Sequence, residues 1–290
     1  MPRGSALVAA VVAACLVLAT PAPVIAAPSE PPLRAITWNV CGAACAWGDE
    51  QPLAAQAAHA VRAYNADILF LQEACAPQFA AVRAALPGYT GTFKAQLRSG
   101  RCGGSNKHGI AVFVRGTATN ARWWNIGGTE GLTGTTYFLL AVDGRTAAGR
   151  RYTAATVHLR VKCDAEYDYD DCAPLTHEAR TEQAEAITDE LDPLVRAGVP
   201  VVIGGDFNML PESSPMSMFY GPTAGGTGLF VEADGGLGRT GESTVCDGEQ
   251  KIDFVFYSRP NFGFVDGDAA NCADDPVSDH KLLRATATWR

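Results

Sequence analysis

The stretch Val199-Pro-Val-Val-Ile-Gly-Gly-Asp-Phe-Asn-Met-Leu210 decides the fold, because it joins a buried strand to a polar end. Residues 199–203 are apolar and mostly β-branched, which is typical of a strand buried on both faces. We expect Gly204 and Gly205 to end this strand and to let the backbone approach a ligand. Period-2 alternation then points Asp206 and Asn208 to the same side. A carboxylate and an amide there suit a divalent cation and a phosphoryl oxygen, although they equally suit a turn in which both bond their own backbone.

Length, composition and charge limit what kind of protein this is. The 290 residues are 47% apolar with no composition break, so we expect one domain over residues 28–290. Arg3, an apolar run at 6–19 and small residues up to Ala27 predict a secretory signal, 1–27, that is removed from a secreted protein. A lipoprotein anchor at Cys15 is the alternative. Without the signal the charge changes from 23 − 31 to 22 − 31, or −9, which argues against a generally basic nucleic-acid-binding surface.

Cysteine usage agrees with export. Of the 9 cysteines, Cys15 lies in the signal, and an even number remains, which predicts up to four disulfides in an oxidising compartment. Proximity along the chain favours four pairs: Cys41 with Cys45, Cys75 with Cys102, Cys163 with Cys172, and Cys246 with Cys272. A zinc site is the rival interpretation, but the spacings do not form paired zinc knuckles.

The mature chain alternates strand-like and helix-like patterns. We expect strands at 33–40, 67–71, 109–115, 136–142, 150–159, 199–203, 250–258 and 281–288, and helices at 52–64, 79–86 and 176–197. Gly-rich turns between several strands favour antiparallel pairing. Strands and helices in this mixture imply two packed sheets with helices outside.

Polar side chains recur where the strand-like runs end. They are Asn39, Glu73, His158, Asp206, Asn208, Asp253, Asp279 and His280. Acids, amides and imidazoles at these positions indicate a site rather than a core. Asp253 stands alone in the apolar run Lys-Ile-Asp-Phe-Val-Phe and needs a buried partner, for which a histidine is the natural choice.

Six short motifs resemble, in order, those of the endonuclease/exonuclease/phosphatase superfamily, which includes pancreatic-type deoxyribonucleases, abasic-site endonucleases, inositol polyphosphate 5-phosphatases and bacterial neutral sphingomyelinases. They are Thr37-Trp38-Asn39, Leu71-Gln72-Glu73, Val157-His158-Leu159, Gly205-Asp206-Phe207-Asn208, Ile252-Asp253-Phe254 and Ser278-Asp279-His280. Val157 replaces the family's Thr. The resemblance covers nearly all of the mature chain. It implies a four-layer α/β/β/α sandwich, in which two mixed, mainly antiparallel sheets are flanked by helices and the strand ends form one metal-centred cleft.

The resemblance also implies roles for these residues. Mg²⁺, with Mn²⁺ or Ca²⁺ as alternatives, would be held chiefly by Glu73 with Asn39 and Asp279 nearby, and would polarise a phosphoryl oxygen. His280, oriented by Asp253, would be the general base, and Asp206 would place the attacking water. His158 and Asn208 would donate hydrogen bonds to the developing charge. We therefore expect activity to fall below neutrality as His280 protonates.

The substrate depends on residues around the cleft. Cationic residues near a cleft for nucleic acid would be Arg98, Arg101, Lys107, Arg160 and Lys162. Arg160 is the best of these, because it follows His158 by two residues on the same strand face. The acidic segment 163–172 argues against a nucleic acid unless it binds a cation such as Ca²⁺, and it is otherwise a solvated turn.

Two adjacent tryptophans raise the lipid alternative. Trp123 and Trp124 on an exposed hairpin tip would insert at a membrane interface, as in the sphingomyelinases, but the favoured arrangement packs one inside and leaves one on the surface. We expect a monomeric phosphodiesterase that cleaves nucleic acid and has no stable protein partner. The alternatives are a phospholipid phosphodiesterase of the neutral sphingomyelinase type and a non-catalytic secreted binding protein. Loop geometry at 90–108 and 121–135 is expected to decide the substrate.

Overall fold

The computed structural model of the chain contains two six-stranded sheets packed face to face. It describes residues 1, 30–45, 50–129, 134–161, 169–235, 238–272 and 277–290, without the side chains of 104–105, 128–129 and 169–175. The predicted signal at 1–27, the Cys15 anchor and Lys162 lie outside the described residues. Among the helices described, none is long and apolar enough to span a membrane.

Each sheet mixes one parallel pair with antiparallel neighbours. In spatial order, the first sheet contains β11 (Phe262–Ala269), β12 (Leu283–Trp289), β1 (Leu33–Asn39), β2 (Ile68–Cys75), β4 (Lys107–Arg115) and β3 (Tyr89–Arg98). The second contains β5 (Thr119–Thr129), β6 (Thr136–Arg145), β7 (Arg151–His158), β8 (Val201–Asp206), β10 (Asp253–Ser258) and β9 (Phe230–Glu232). The parallel pairs are β1 with β2 and β7 with β8. The predicted mixed, mainly antiparallel sheets are therefore confirmed.

Three apolar cores separate four layers. The middle core lies between the sheets and includes Phe70 and Val202. Helices α1 (Gln51–Tyr64) and α2 (Ala76–Ala85) cover the outer face of the first sheet. Helix α3 (Tyr169–Arg196) covers the outer face of the second sheet through its buried Ile187 and Leu191. This is the predicted α/β/β/α sandwich, and it leaves one end of both sheets free to carry polar side chains.

The two glycines at 204 and 205 do not end their strand, contrary to the sequence interpretation. Both lie inside β8, where Gly204 is level with Thr156 and Gly205 with Val157 on the neighbouring strand. A Cβ at Gly204 would collide with the ring of Phe70 from the opposite sheet. A Cβ at Gly205 would collide with the main chain of Val157. These glycines therefore allow close packing around β8 rather than close approach of a ligand.

Several strands had no clear signal in the sequence. β3, β5 and β11 lie at sheet edges, where partial exposure removes the alternation of apolar and polar residues. The segments 90–108 and 121–135, expected to be loops, are largely β3, β4 and β5. Helix α3 begins at Tyr169, before the predicted start at Thr176. Trp123 and Trp124 consequently lie within a strand and not on a hairpin tip: Trp123 is 52% exposed, whereas Trp124 packs on the outer core.

Three of the four predicted disulfides are present, and they join Cys41 with Cys45, Cys75 with Cys102, and Cys246 with Cys272. These six cysteines are therefore unavailable to a zinc ion. The fourth predicted pair, Cys163 with Cys172, and the acidic segment around it fall outside the described residues and side chains.

Candidate active site

The polar strand ends predicted from the sequence meet at one end of the sandwich. Three of them form a row across the second sheet, because His158 pairs with Asp206 along β7 and β8, and Asp206 pairs with Asp253 along β8 and β10. Asn39 and Glu73 approach this row from β1 and β2 of the first sheet. The site is thus built where the two sheets face each other.

Glu73 reaches the site because β2 is locally distorted. Its φ angle is +57°, a left-handed conformation that costs energy for a residue with a Cβ, and the register with β4 shifts between Leu71 and Ala74. Asn208 is also left-handed, with φ +52°, and its N–H donates to Asp206 Oδ1 at 2.8 Å. This turn, and not strand alternation, brings Asp206 and Asn208 together. The alternative interpretation, a turn in which these side chains bond their own backbone, is therefore right for Asp206, which accepts the Asn208 N–H.

Asn39 connects the two carboxylates across the sheets. Its Nδ2 donates to Glu73 Oε1 and to Asp206 Oδ2, both at 3.0 Å, and its Oδ1 accepts the Cys41 N–H at 3.0 Å. The amide is fully buried and is fixed by these three bonds. Asn39 therefore holds two anionic groups at set positions.

Burial governs the charge on Asp206. Its side chain is almost inaccessible, so desolvation, followed by repulsion from Asp253, raises its pKa to about 6. The pKa of Glu73 is lowered: burial raises it, but His158, the Asn39 hydrogen bond, His108 and His280 together outweigh burial. The two carboxylates thus differ in proton affinity, which is common at catalytic sites.

Asp253 and His280 form a buried pair. His280 Nδ1 lies 2.8 Å from Asp253 Oδ2, and the Asp253 N–H donates to Thr244 Oγ1 at 3.0 Å. Burial alone would lower the pKa of His280. The charge and hydrogen bond of Asp253, and then the charge of Asp206, outweigh burial and raise this pKa to about 10. The loss of activity below neutrality stays a prediction, because this pKa is that of the metal-free protein and a cation bound beside the pair would lower it.

Ser278 and Lys251 position this pair from either side. Ser278 Oγ donates to the Asn39 carbonyl at 2.6 Å and accepts the His280 N–H at 3.0 Å. Lys251 Nζ donates to the Asp253 carbonyl at 3.2 Å and forms buried ion pairs with Glu232 and Asp234 at 3.4 and 3.0 Å. The general base candidate is therefore held through its main chain as well as through its ring.

The remaining distances in the cluster leave room between its members. His158 Nε2 lies 3.8 Å from Glu73 Oε1 and 3.7 Å from Asp206 Oδ2, and His280 Nε2 lies 3.9 Å from Asp206 Oδ2. These distances exceed a hydrogen bond. They suit groups that share a small intervening ligand. The buried His158 Nε2 has no hydrogen-bond partner in the described part of the chain.

The donor set fits a divalent cation. Carboxylate oxygens are the usual protein ligands of Mg²⁺, Mn²⁺ and Ca²⁺, and the set contains the carboxylates of Glu73 and Asp206, both held in place by the Nδ2 of Asn39. Asp206, Asp253 and His280 also place one ligand atom each within 4.8 Å of one another. A cation near Glu73 would satisfy charges that the protein otherwise buries together.

In the described part of the chain, two predicted site residues, Asp279 and Arg160, lie outside the network of hydrogen bonds that joins the others. Asp279 is exposed and lies beside the Cys41–Cys45 disulfide, whose bonded sulfurs are not metal ligands. Arg160 is half-buried, with its main chain bonded to Gln183 and Arg180 of α3. Arg98, Arg101 and Lys107 are exposed. The structure therefore brings together Asn39, Glu73, His158, Asp206, Asn208, Asp253 and His280, with Arg160 at the edge and Asp279 outside their hydrogen bonds.

Sequence reasoning missed His108, a buried residue near the start of β4. Its Nε2 lies 3.8 Å from Glu73 Oε2. The pKa of its ring is lowered, because burial lowers it by more than the charge of Glu73 raises it. The signal was available, since His108 directly precedes the apolar run at 109–115 and so obeys the rule that found the other residues. Ser278 lies in the last of the six motifs and Lys251 directly precedes the fifth, but the sequence assigned neither of them a role.

Comparison with known proteins agrees with this geometry. The chain matches the model of the Endonuclease/Exonuclease/phosphatase family over residues 36–280. No curated protein sequence matches it.

Solved structures with the same fold have low sequence identity to this chain. The human Nocturnin catalytic domain with a bound sulfate anion is 22% identical with a TM-score of 0.68, and the alignment covers 91% of this chain and 95% of that one. Truncated Caenorhabditis elegans TDP2 is 17% identical with a TM-score of 0.65, covering 89% and 97%. A Bacteroides thetaiotaomicron mannosyl-6-phosphatase is 16% identical with a TM-score of 0.63, covering 88% and 99%. At these identities the similarity establishes the fold alone.

Proposed function

The chain belongs to the Endonuclease/Exonuclease/phosphatase family, whose members hydrolyse phosphoester bonds, and from this premise we propose that it is a secreted Mg²⁺-dependent phosphodiesterase acting on nucleic acid. One observation carries the proposal. The row of His158, Asp206 and Asp253, completed by His280, faces Glu73 and Asn39 across the sheets. Such a set offers a base, hydrogen-bond donors and a cation site around one point.

Glu73 is the principal candidate to hold the cation, with Asn39 fixing its orientation through the 3.0 Å bond to Oε1. When bound, a divalent cation would supply Lewis acidity at a phosphoryl oxygen and lower the pKa of neighbouring groups. Asn39 also bonds Asp206. Loss of Asn39 would therefore disturb both carboxylates at once.

His280 and Asp206 are the candidates to handle the attacking water. His280 takes a proton from water as an oxygen–phosphorus bond forms and the bond to the leaving oxygen breaks. Asp253 stabilises the imidazolium that results, since its carboxylate lies 2.8 Å from Nδ1. Asp206, 3.9 Å from His280 Nε2, accepts a hydrogen bond from the same water and so orients it.

His158 and Asn208 are the candidates to bind the phosphoryl oxygens. The buried His158 Nε2 has no hydrogen-bond partner in the described ranges, so it can donate to a substrate oxygen. Asn208 Nδ2 donates to the Leu159 carbonyl at 3.1 Å and has a second hydrogen available. Both are preorganised by their own strand ends.

A rim beside the site supports nucleic acid as the substrate. Gln96 Nε2 of β3 donates to the His158 carbonyl at 3.3 Å. Two residues earlier, Lys94 places its Nζ 4.5 Å from the ring centre of Trp123. Trp123 is level with Leu140, and Leu140 with Thr156, so the tryptophan lies roughly 10 Å across the sheet from β7. We call Trp123, Lys94 and Gln96 the Trp123 rim.

An exposed indole beside a cation suits a base and its phosphate better than a lipid surface. Membrane insertion needs adjacent apolar tips, whereas Trp124 packs on the core and Trp123 lies within a strand. A phospholipid phosphodiesterase therefore ranks second. A non-catalytic binding protein ranks third, since it has no need of the buried Asp253–His280 pair. For export, the three disulfides and the signal pattern at 1–27 are the supporting observations.

The test incubates the purified mature protein with supercoiled plasmid and Mg²⁺, with and without EDTA, beside Asp206→Ala. We expect nicking that needs both the metal and Asp206. Asp189→Ala is the matched control, because Asp189 is an exposed carboxylate on the outer helix α3, and this variant should nick like the parent protein. Cleavage of sphingomyelin vesicles without nicking would favour the lipid alternative, and activity retained in Asp206→Ala would contradict the mechanism.

A further inference from the structure

His108 has no assigned task in the reaction described above, yet it is placed as a functional residue would be. It is 6% exposed, near the start of β4, and pairs along the strands with Cys75 and with Leu97 beside a register shift in β3. In the described part of the chain neither ring nitrogen makes a hydrogen bond within the usual distance and angle limits, and the ring interacts only weakly with the main chain of Glu73. A buried imidazole satisfied this weakly is costly, which points to a ligand.

The ring is directed at the free side of Glu73. Its Nε2 lies 3.8 Å from Glu73 Oε2, whereas Oε1 carries the hydrogen bond from Asn39. His158 Nε2 lies the same distance, 3.8 Å, from Oε1. The carboxylate is thus flanked by an imidazole at each oxygen.

The distance distinguishes two kinds of contact. At 3.8 Å, Nε2 and Oε2 are too far apart for a hydrogen bond. Two donors bound to one cation at about 2.0–2.2 Å each are separated by roughly 3–3.6 Å in octahedral or tetrahedral coordination. The 3.8 Å between His108 Nε2 and Glu73 Oε2 is within a few tenths of an ångström of this range, so a small side-chain movement would let both bind one ion.

We infer that His108 is a further ligand of the cation held by Glu73, so that the site offers nitrogen as well as oxygen donors. This inference rests on the proposed metal-dependent function and deepens it. Imidazole adds little affinity for Mg²⁺ but binds Mn²⁺, Co²⁺ and Zn²⁺ well. The chain should therefore prefer these ions to a greater degree than a site of oxygen donors alone.

The experiment measures metal binding directly, without substrate. Metal-free protein is titrated with Co²⁺ and with Mg²⁺ by calorimetry, and the visible absorption of the Co²⁺ complex is recorded. We expect His108→Asn to weaken Co²⁺ binding about 10- to 100-fold, to change the Co²⁺ spectrum and to alter Mg²⁺ binding less than about 3-fold. His108→Asp, which replaces the nitrogen donor by oxygen, should shift the preference towards Mg²⁺.

His177→Asn is the matched control, because His177 is an exposed histidine that bonds Ser214 on the outside of the molecule. It should bind both ions as the parent protein does. Circular dichroism verifies that each variant is folded, and His108→Gln replaces any variant that is not. Equal weakening of Co²⁺ and Mg²⁺, or an unchanged Co²⁺ spectrum in all His108 variants, would overturn the inference. A parent protein that binds neither ion would instead overturn the proposed metal dependence.

Discussion

His280 Nδ1 lies 2.8 Å from Asp253 Oδ2, and this contact joins a residue at the start of β10 to one that precedes β12 of the other sheet. Both side chains are withdrawn from solvent, so the carboxylate charge acts on the imidazole with little screening. The pair therefore couples the position of the base to the packing of the two sheets. Its charges also predict how activity and stability depend on pH.

Replacing Asp253 by Asn should move the pH–activity profile. Without the carboxylate, the pKa of His280 is no longer raised to about 10, so the limb of kcat should shift to lower pH. We also expect kcat to fall by about 10²- to 10⁴-fold, because the imidazolium formed in the reaction loses its partner. The measurement is plasmid nicking at saturating Mg²⁺ from below neutrality into the alkaline range, because a bound cation would lower the pKa of His280 from its metal-free value. Asp279→Asn removes a carboxylate with a weaker effect on His280 and should shift the limb less; identical profiles for Asp253→Asn and the parent would contradict the pairing.

The same pair should make stability depend on pH. A histidine whose folded pKa is about 10 stabilises the fold fully below its unfolded pKa of 6.5, and this contribution is lost as the pH rises through about 10. Between pH 6.5 and 10 the metal-free protein should therefore lose about 4 kcal/mol of unfolding free energy relative to the double variant Asp253→Asn/His280→Gln. Urea unfolding in EDTA at both ends of this window measures it. A difference between the two proteins that stays constant with pH would refute the prediction.

The Trp123 rim should affect binding more than chemistry. Trp123→Ala removes an exposed indole that Lys94 contacts, so KM for single-stranded DNA should rise about 5-fold or more while kcat changes little. A small chromogenic phosphodiester cannot reach the rim, and its hydrolysis should be unaffected. Phe264→Ala is the control, since Phe264 is 64% exposed on the edge strand β11. Equal KM values for Trp123→Ala and Phe264→Ala would show that the Trp123 rim does not bind the substrate.

The sequence predicted the two packed sheets, and it also pointed to residues that the structure brings together. Asp253 needed a buried partner, and the His280 contact supplies it, because a lone carboxylate in an apolar run has few solutions. The order of the polar strand ends also identified the residues that meet. By contrast β3 and β5 left no clear pattern, because both are edge strands whose side chains are only partly buried, so apolar and polar residues do not alternate clearly. The left-handed backbone at Glu73 could not be foreseen either, since the surrounding structure imposes it.

The glycines of β8 show how packing between the sheets sets the site. A methyl group at Gly204 would meet only the ring of Phe70, whereas one at Gly205 would meet the rigid main chain of Val157. Gly204→Ala should therefore cost about 1–3 kcal/mol of unfolding free energy, and Phe70→Leu should recover part of that cost by making room. Gly205→Ala should cost more and gain nothing from Phe70→Leu. Urea unfolding of the single and double variants gives the coupling, expected to exceed about 0.5 kcal/mol for Gly204 with Phe70. Strict additivity there would mean that the two sheets do not meet at Gly204 and that the packing of Phe70 does not require a glycine at this position.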